Sequence, residues 1–227
     1  MTQSFVLEKL EETSIPAYIK QSSKQYTAQD YFNLPEGSPY QLIEGELIMS
    51  PSPLTEHQII SKNLELIIYT RVKKNNLGLA LNAPIDVYLN NKNAYQPDII
   101  FISDKNKDII KKHGIDGAPD LVIEILSPSN IYYDVRVKKD IYEKSGVIEY
   151  IIVDPRTKSI DVYRRTEKTP ENPSDASDSV SASAVPTSDD HRSGFDETTS
   201  VKVENNEKLY VKTLNLEIDS KEIFENV

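Results

Sequence analysis

Apolar residues in this chain recur with two different periods. Ile60, Leu64, Ile67, Ile68 and Val72 fall at helical spacing, which predicts one long amphipathic helix. Thr55 and Gln58 match a capping box, so that helix is expected to begin there and run to about Asn75. Thr27 is a suitable N-cap for a shorter helix through Asn33. Residues 40–49, YQLIEGELIM, read as two short strands joined at Glu44-Gly45 in a hairpin. Compact apolar runs predict further strands at 85–89, 98–102, 121–126, 149–153, 159–165 and 208–214. Between them, 104–113 reads as a short Lys-rich helix, 134–145 as a helix ended by Gly146, and 219–227 as a closing helix. The expected architecture is a mixed α/β sheet flanked by helices, with a strand-helix-strand crossover near its end.

One stretch has neither period. Residues 166–200 are built from Ser, Thr, Asp, Ala and Pro with a single aromatic. Such a composition cannot bury enough apolar surface to offset the entropy of ordering, so it is expected to be a disordered insertion between the strands at 159–165 and 208–214. The domain map is then one domain over 1–165 and 201–227, interrupted by 166–200. The insertion also changes the meaning of the net charge. Its eight acids and two bases supply −6 of the formal −10, so the remainder is only mildly acidic and charge alone does not exclude a nucleic-acid partner.

The absence of cysteine removes disulfides, thiolate zinc sites and thiol nucleophiles. No run reaches the roughly 18 apolar residues of a membrane span, and Met1 to Gln21 carries Glu8, Glu11 and Glu12 with no apolar core of a leader. A cytoplasmic protein that does not enter membranes is the expectation.

The residues that carry chemistry stand in the core strands. In Pro119-Asp-Leu-Val-Ile-Glu-Ile-Leu-Ser127, Glu124 has two aliphatic residues on each side, as in a strand buried on both faces. An ionised carboxylate there costs several kcal/mol unless it is compensated. This run alone leaves two readings open: a metal ligand, or a strand-end Glu that is solvated or paired with Lys or Arg. Gln96-Pro97-Asp98 opens a second apolar strand. Asp98 taken alone is a strand-start turn former; if the two strands are antiparallel neighbours, it approaches Glu124. Two carboxylates and few other ligands suit Mg2+, which keeps several waters. Downstream, Lys138 and Tyr142 share a helix face, and an ammonium there would neutralise charge on phosphoryl oxygens; a solvated charged face is the alternative.

In this arrangement the chain resembles the PD-(D/E)XK nucleases, and more closely a large bacterial family of restriction endonucleases once classed as a domain of unknown function. The matching stretches are Tyr40–Glu46, His57-Gln58, Gln96-Pro97-Asp98, Pro119–Pro128, Lys138–Tyr142 and Gly146–Pro155, in the right order. The resemblance implies a restriction-endonuclease-like fold and hydrolysis of phosphodiesters in DNA, with cleavage of RNA or branched substrates as alternatives. It implies Mg2+, with Mn2+ as a substitute, held by Asp98, Glu124 and the Ile125 carbonyl. Lys138 becomes the catalytic cation, while Glu46, His57, Gln96 and Tyr142 support the site. A homodimer is implied as well, since many nucleases of this fold cut both strands as pairs. One departure stands out: the superfamily's usual lysine two residues after the Glu is replaced by Leu126, and the next helix supplies Lys138 instead. A binding or regulatory module without catalysis is the other reading of this fold. Duplex binding normally needs clustered phosphate contacts. Arg136, Lys138, Lys139, Lys144, Arg156, Lys158, Arg164 and Arg165 are the candidates for such a band. His113, His191, Ser127 and Ser129 lie in contexts that do not suggest ligands or nucleophiles, and no Gly-rich phosphate loop is present.

Overall fold

The computed structural model describes residues 24–128, 133–165 and 194–227. The stretch from Met1 to Gln21, Ser129, His191 and residues 166–193 of the low-complexity segment lie outside them. In chain order the first elements are α1 (Ala28–Phe32), the β1 (Tyr40–Ile43) and β2 (Glu46–Met49) hairpin, and α2 (Thr55–Asn75). Then follow β3 (Gly78–Asn82), β4 (Val87–Asn90), β5 (Asn93–Tyr95), β6 (Ile99–Ser103), β7 (Ile110–Lys111), β8 (Gly114–Asp116) and β9 (Leu121–Ile125). A π-helical turn, Tyr133–Lys138, runs directly into α3 (Lys139–Ser145) and leads to β10 (Glu149–Asp154) and β11 (Ser159–Arg164). The chain closes with β12 (Glu197–Lys202), β13 (Lys208–Val211), β14 (Leu216–Asp219) and α4 (Ser220–Ile223).

The central sheet has the order β12-β11-β10-β9-β6-β3. Its β9–β10 pair is parallel, joined through the π turn and α3, which is the crossover the sequence predicts. All its other neighbours are antiparallel. Strand alternation then sorts residues to two sides. Ile99, Phe101, Ile123 and Ile151 meet the buried stripe Ile60, Leu64, Ile68 and Val72 of α2. Ile100, Ile102, Val122, Tyr150 and Ile152 face Val135 and Tyr142 on the other side. A second sheet, β2-β1-β5-β4-β8-β7, and a separate β13–β14 hairpin complete the fold. The β1–β2 turn is Glu44-Gly45, both at positive φ (49° and 83°), the backbone that a two-residue hairpin requires.

Three local expectations need correction. Thr55 is the first helical residue of α2 and not its cap; Leu54, with extended backbone, is the N-cap, and its aliphatic side chain has no acceptor to offer. Residues 104–113 are not an α-helix. A 3-10 turn over Asp104–Ile109 gives way to the small β7–β8 hairpin, which places the exposed His113 at its turn. Lys105, Lys107, Lys111 and Lys112 offer no apolar stripe that would hold a helix on the sheet. Finally, the partner of β11 is β12, paired from Glu197 to Lys202, so residues 197–200 of the supposed insertion are ordered in the sheet; the 208–214 run instead pairs with β14.

Phe195, just before β12, shows what anchors that strand. Its ring lies 6.4 Å from Tyr150 and 6.2 Å from Tyr163, and its backbone N–H donates to Glu143 Oε1 at 2.7 Å. Because the side chain is only half-buried, Phe195→Ala is expected to cost roughly 1–3 kcal/mol, below the range for a core aromatic. Urea unfolding measures it. A change under about 0.5 kcal/mol would mean that this segment packs weakly, as its composition suggests.

Candidate metal centre and active site

Register brings the two predicted carboxylates together. β6 and β9 pair with Ile99 opposite Ile123, so Asp98 and Glu124 stand one position further along the same antiparallel ladder. Asp98 Oδ2 accepts from the Ile125 backbone N–H at 2.7 Å and lies 3.2 Å from His57 Nε2, on the first turn of α2. Glu124 sits on the opposite strand face from Ile123 and Ile125 and therefore points toward the helix that follows. There Glu124 Oε1 accepts from Lys138 Nζ at 3.0 Å and from Tyr142 Oη at 2.9 Å. Lys138 Nζ also lies 2.8 Å from Asp134 Oδ1. The i to i+4 spacing puts Asp134, Lys138 and Tyr142 on one stripe, and the π turn carries the first two.

Asp134 is the member that sequence reasoning missed. It is 2% exposed, and its Oδ1 makes no directed hydrogen bond among the described residues despite its closeness to the ammonium. The signal was there: it is the residue one turn before Lys138, on the same face. Of the other predicted positions, His57, Gln96 and Ile125 line the cleft with Asp98, Glu124, Asp134 and Lys138, in a space of about 320 Å³. Tyr142 stands beneath Glu124, fully buried. Glu46 lies on β2, opposite Ile43, and does not line this cleft.

Three carboxylates against one buried ammonium make a strongly coupled site. Burial raises the Glu124 pKa, Lys138 opposes the rise, and Asp134 and Asp98 add to it, with a result of about 8. Asp134 is raised by its burial in the same way. Burial alone would lower Lys138, but Asp134 and Glu124 outweigh it and hold the ammonium above its ordinary range. For His57 burial also pulls downward, and the hydrogen bond and charge of Asp98 more than reverse it. Burial above all thus makes Glu124 and Asp134 retain protons that isolated carboxylates would lose.

The proposed basic band is split: Arg136, Lys144, Arg156 and Lys158 are exposed, while the others are partly or fully withdrawn from the surface. Lys138 is consumed within the cleft, and buried Arg164 pairs with Glu149 at 2.7 Å. Arg165 donates to the Glu143 carbonyl, Arg156 lies 3.6 Å from Asp154, and Lys158 donates to the Val227 carbonyl. Among the described residues no helix is long and apolar enough to cross a membrane.

The fold is a restriction-endonuclease-like mixed α/β domain. The chain belongs to the Uma2 family, described as "Putative restriction endonuclease", whose model matches residues 28–188. Among solved structures it is similar to a crystal structure titled as a putative nuclease belonging to DUF820 from Anabaena variabilis. That similarity has a TM-score of 0.65 at 22% identity and covers 87% of this chain and 97% of the other. A search of curated proteins returned no match.

Proposed function

We propose that the protein is a metal-dependent endonuclease that hydrolyses phosphodiester bonds, with DNA as its substrate. The observation that carries this reading is the convergence of Asp98 and Glu124 across one strand pair, with Lys138 3.0 Å from Glu124. Among the described residues no group of three His, Asp or Glu side chains is disposed to hold a metal. Mg2+ does not need one, since it commonly takes one or two carboxylates and completes its shell with water and substrate oxygens. The carboxylate-rich lining of the cleft fits a divalent cation, which favours the ionised carboxylate, held by Asp98, Glu124 and the Ile125 carbonyl, with Mn2+ able to replace Mg2+. When bound, such a cation supplies Lewis acidity and a water of lowered pKa.

The chain's own residues do the rest. Tyr142 and Lys138 both bind Glu124 Oε1, which fixes that carboxylate in place. The Ile125 N–H and His57 hold Asp98 Oδ2 in the same manner. Lys138, kept charged by its two carboxylates, is the cation positioned to offset charge that develops on a phosphoryl group. Within this reading the protein works in the cytoplasm, and as a homodimer where two strands are cut, which sedimentation would reveal.

The withdrawal of Lys138 and Arg164 into buried ion pairs favours one rival, a binding or regulatory module without chemistry. Purified protein is expected to nick or linearise plasmid DNA only with added Mg2+ or Mn2+, and Asp98→Ala is expected to remove that activity. Metal-independent cleavage, or full activity in Asp98→Ala, would count against the nuclease assignment.

A further inference from the structure

Beside the catalytic cleft lies a second concavity that the mechanism above does not use. It encloses about 540 Å³, within the range of ligand sites, and a neighbouring hollow of about 490 Å³ continues it. Phe32, Tyr88 and His113 line both. Pro84 and Gln96 line both the first hollow and the catalytic cleft, so the trough opens beside Asp98.

Phe32 is 54% exposed although it stands on a short helix against the second sheet. Its ring meets His113 at 5.7 Å and 80°, and His113 meets Tyr88 at 5.5 Å and 66°. Both pairs are T-shaped, as is Tyr31 with Tyr88 at 6.0 Å, so each contact occupies one face of one ring at most, and the exposed Phe32 and His113 keep ring surface that a flat heterocycle can cover. No Lys or Arg lines either hollow among the described residues, whereas Glu36, Asp86 and Asp116 do. A phosphate would be repelled there. A neutral aromatic group with N–H donors would not. Asp86 Oδ1 is held by the Tyr31 hydroxyl at 2.7 Å and by Gln96 Nε2 at 2.9 Å, which leaves its carboxylate with spare acceptor capacity at a fixed place.

We infer that this trough receives an unstacked nucleobase of the substrate strand next to the phosphate being cut, so that the preferred substrate is unpaired at that point. The inference rests on the nuclease reading and narrows it. A base within a duplex is covered above and below, so it enters a side pocket only when single-stranded, at a frayed or branched end, or after extrusion. The same choice suits a trough that no Lys or Arg lines among the described residues, because base stacking supplies affinity there that phosphate contacts would otherwise give.

The test is binding of the full chain, with metal chelated, to a deoxyoligonucleotide containing 2-aminopurine, single-stranded and in duplex. The expected result is tighter binding of the single strand with a change in 2-aminopurine fluorescence. Phe32→Ala and His113→Ala should each weaken it at least about 5-fold, the low end for loss of one base-aromatic stack. Phe32→Tyr, which keeps a ring face, should restore binding, and Tyr69→Ala, on the exposed face of α2, should leave it unchanged. In Mg2+, cleavage should favour a flap or single strand over plain duplex, and Phe32→Ala should erode that preference. Unchanged binding by both trough variants, or equal binding of duplex, overturns the inference; if metal-dependent cleavage persists, the nuclease reading survives. Failure to bind or cut either form overturns both.

Discussion

Lys138→Ala is expected to lower DNA cleavage by at least about 100-fold, as loss of one transition-state charge donor does. It should also cost about 3–5 kcal/mol of stability, because it leaves Glu124 and Asp134 buried without their ammonium. The adjacent lysine is the internal control. Lys139 points about 100° away around the helix, lies 3.9 Å from Glu143 and 3.8 Å from Asp140, and covers the Tyr163 ring at 5.2 Å. Surface pairs of that kind contribute roughly 0–1 kcal/mol, so Lys139→Ala should change cleavage little. Both variants are assayed well below their melting temperatures, so that lost folding is not read as lost chemistry. Normal cutting by Lys138→Ala with a dead Lys139→Ala would remove Lys138 from its catalytic role.

That contrast was open to sequence reasoning because helix phase decides it. Lys138 shares its stripe with Tyr142, an aromatic that seeks the core, while Lys139 shares its own with Glu143. The strand carrying Glu124 was equally plain, since five apolar neighbours at such density fit only a strand buried on both faces. Asp98 followed once that strand had an antiparallel partner. Asp134 was harder to assign, because a carboxylate four residues before a lysine usually marks a solvated pair. Only the π turn and the sheet beneath it show that this pair is buried. Two of the strands left unread have a common cause as well. β12 is Glu-Thr-Thr-Ser-Val-Lys, an edge strand with a largely exposed, polar surface, and β5 has three residues. Their strand character comes from pairing with β11 and β1, not from their own patterns. The aromatic trough joins α1, β4 and the β7–β8 turn, which are far apart in sequence, so no local motif announces it.

Glu124→Gln is expected to abolish stabilisation by divalent metal and to flatten the pH dependence of the metal-free protein. In the wild type, Glu124 titrates near 8 when folded against an ordinary value of 4.5, so the folded state holds that proton more tightly than the unfolded chain. Its stabilising contribution is therefore complete below about pH 4.5 and is lost as pH rises through about 8. Each pH unit in that window changes stability by up to about 1.4 kcal/mol, so the metal-free melting temperature should fall measurably between pH 6 and pH 8. A cation that binds the ionised carboxylate offsets the loss, so Mg2+ or Mn2+ should raise the melting temperature more at pH 8 than at pH 6. Gln keeps the shape of Glu124 and cannot ionise. Its variant should show a shallower decline, with Asp134, also raised by burial, responsible for what remains. Differential scanning fluorimetry over this range, with chelator and with each metal, checks all three expectations. A Glu124→Gln protein that gains as much from Mg2+ as the wild type would place the metal elsewhere, and with it the catalytic centre.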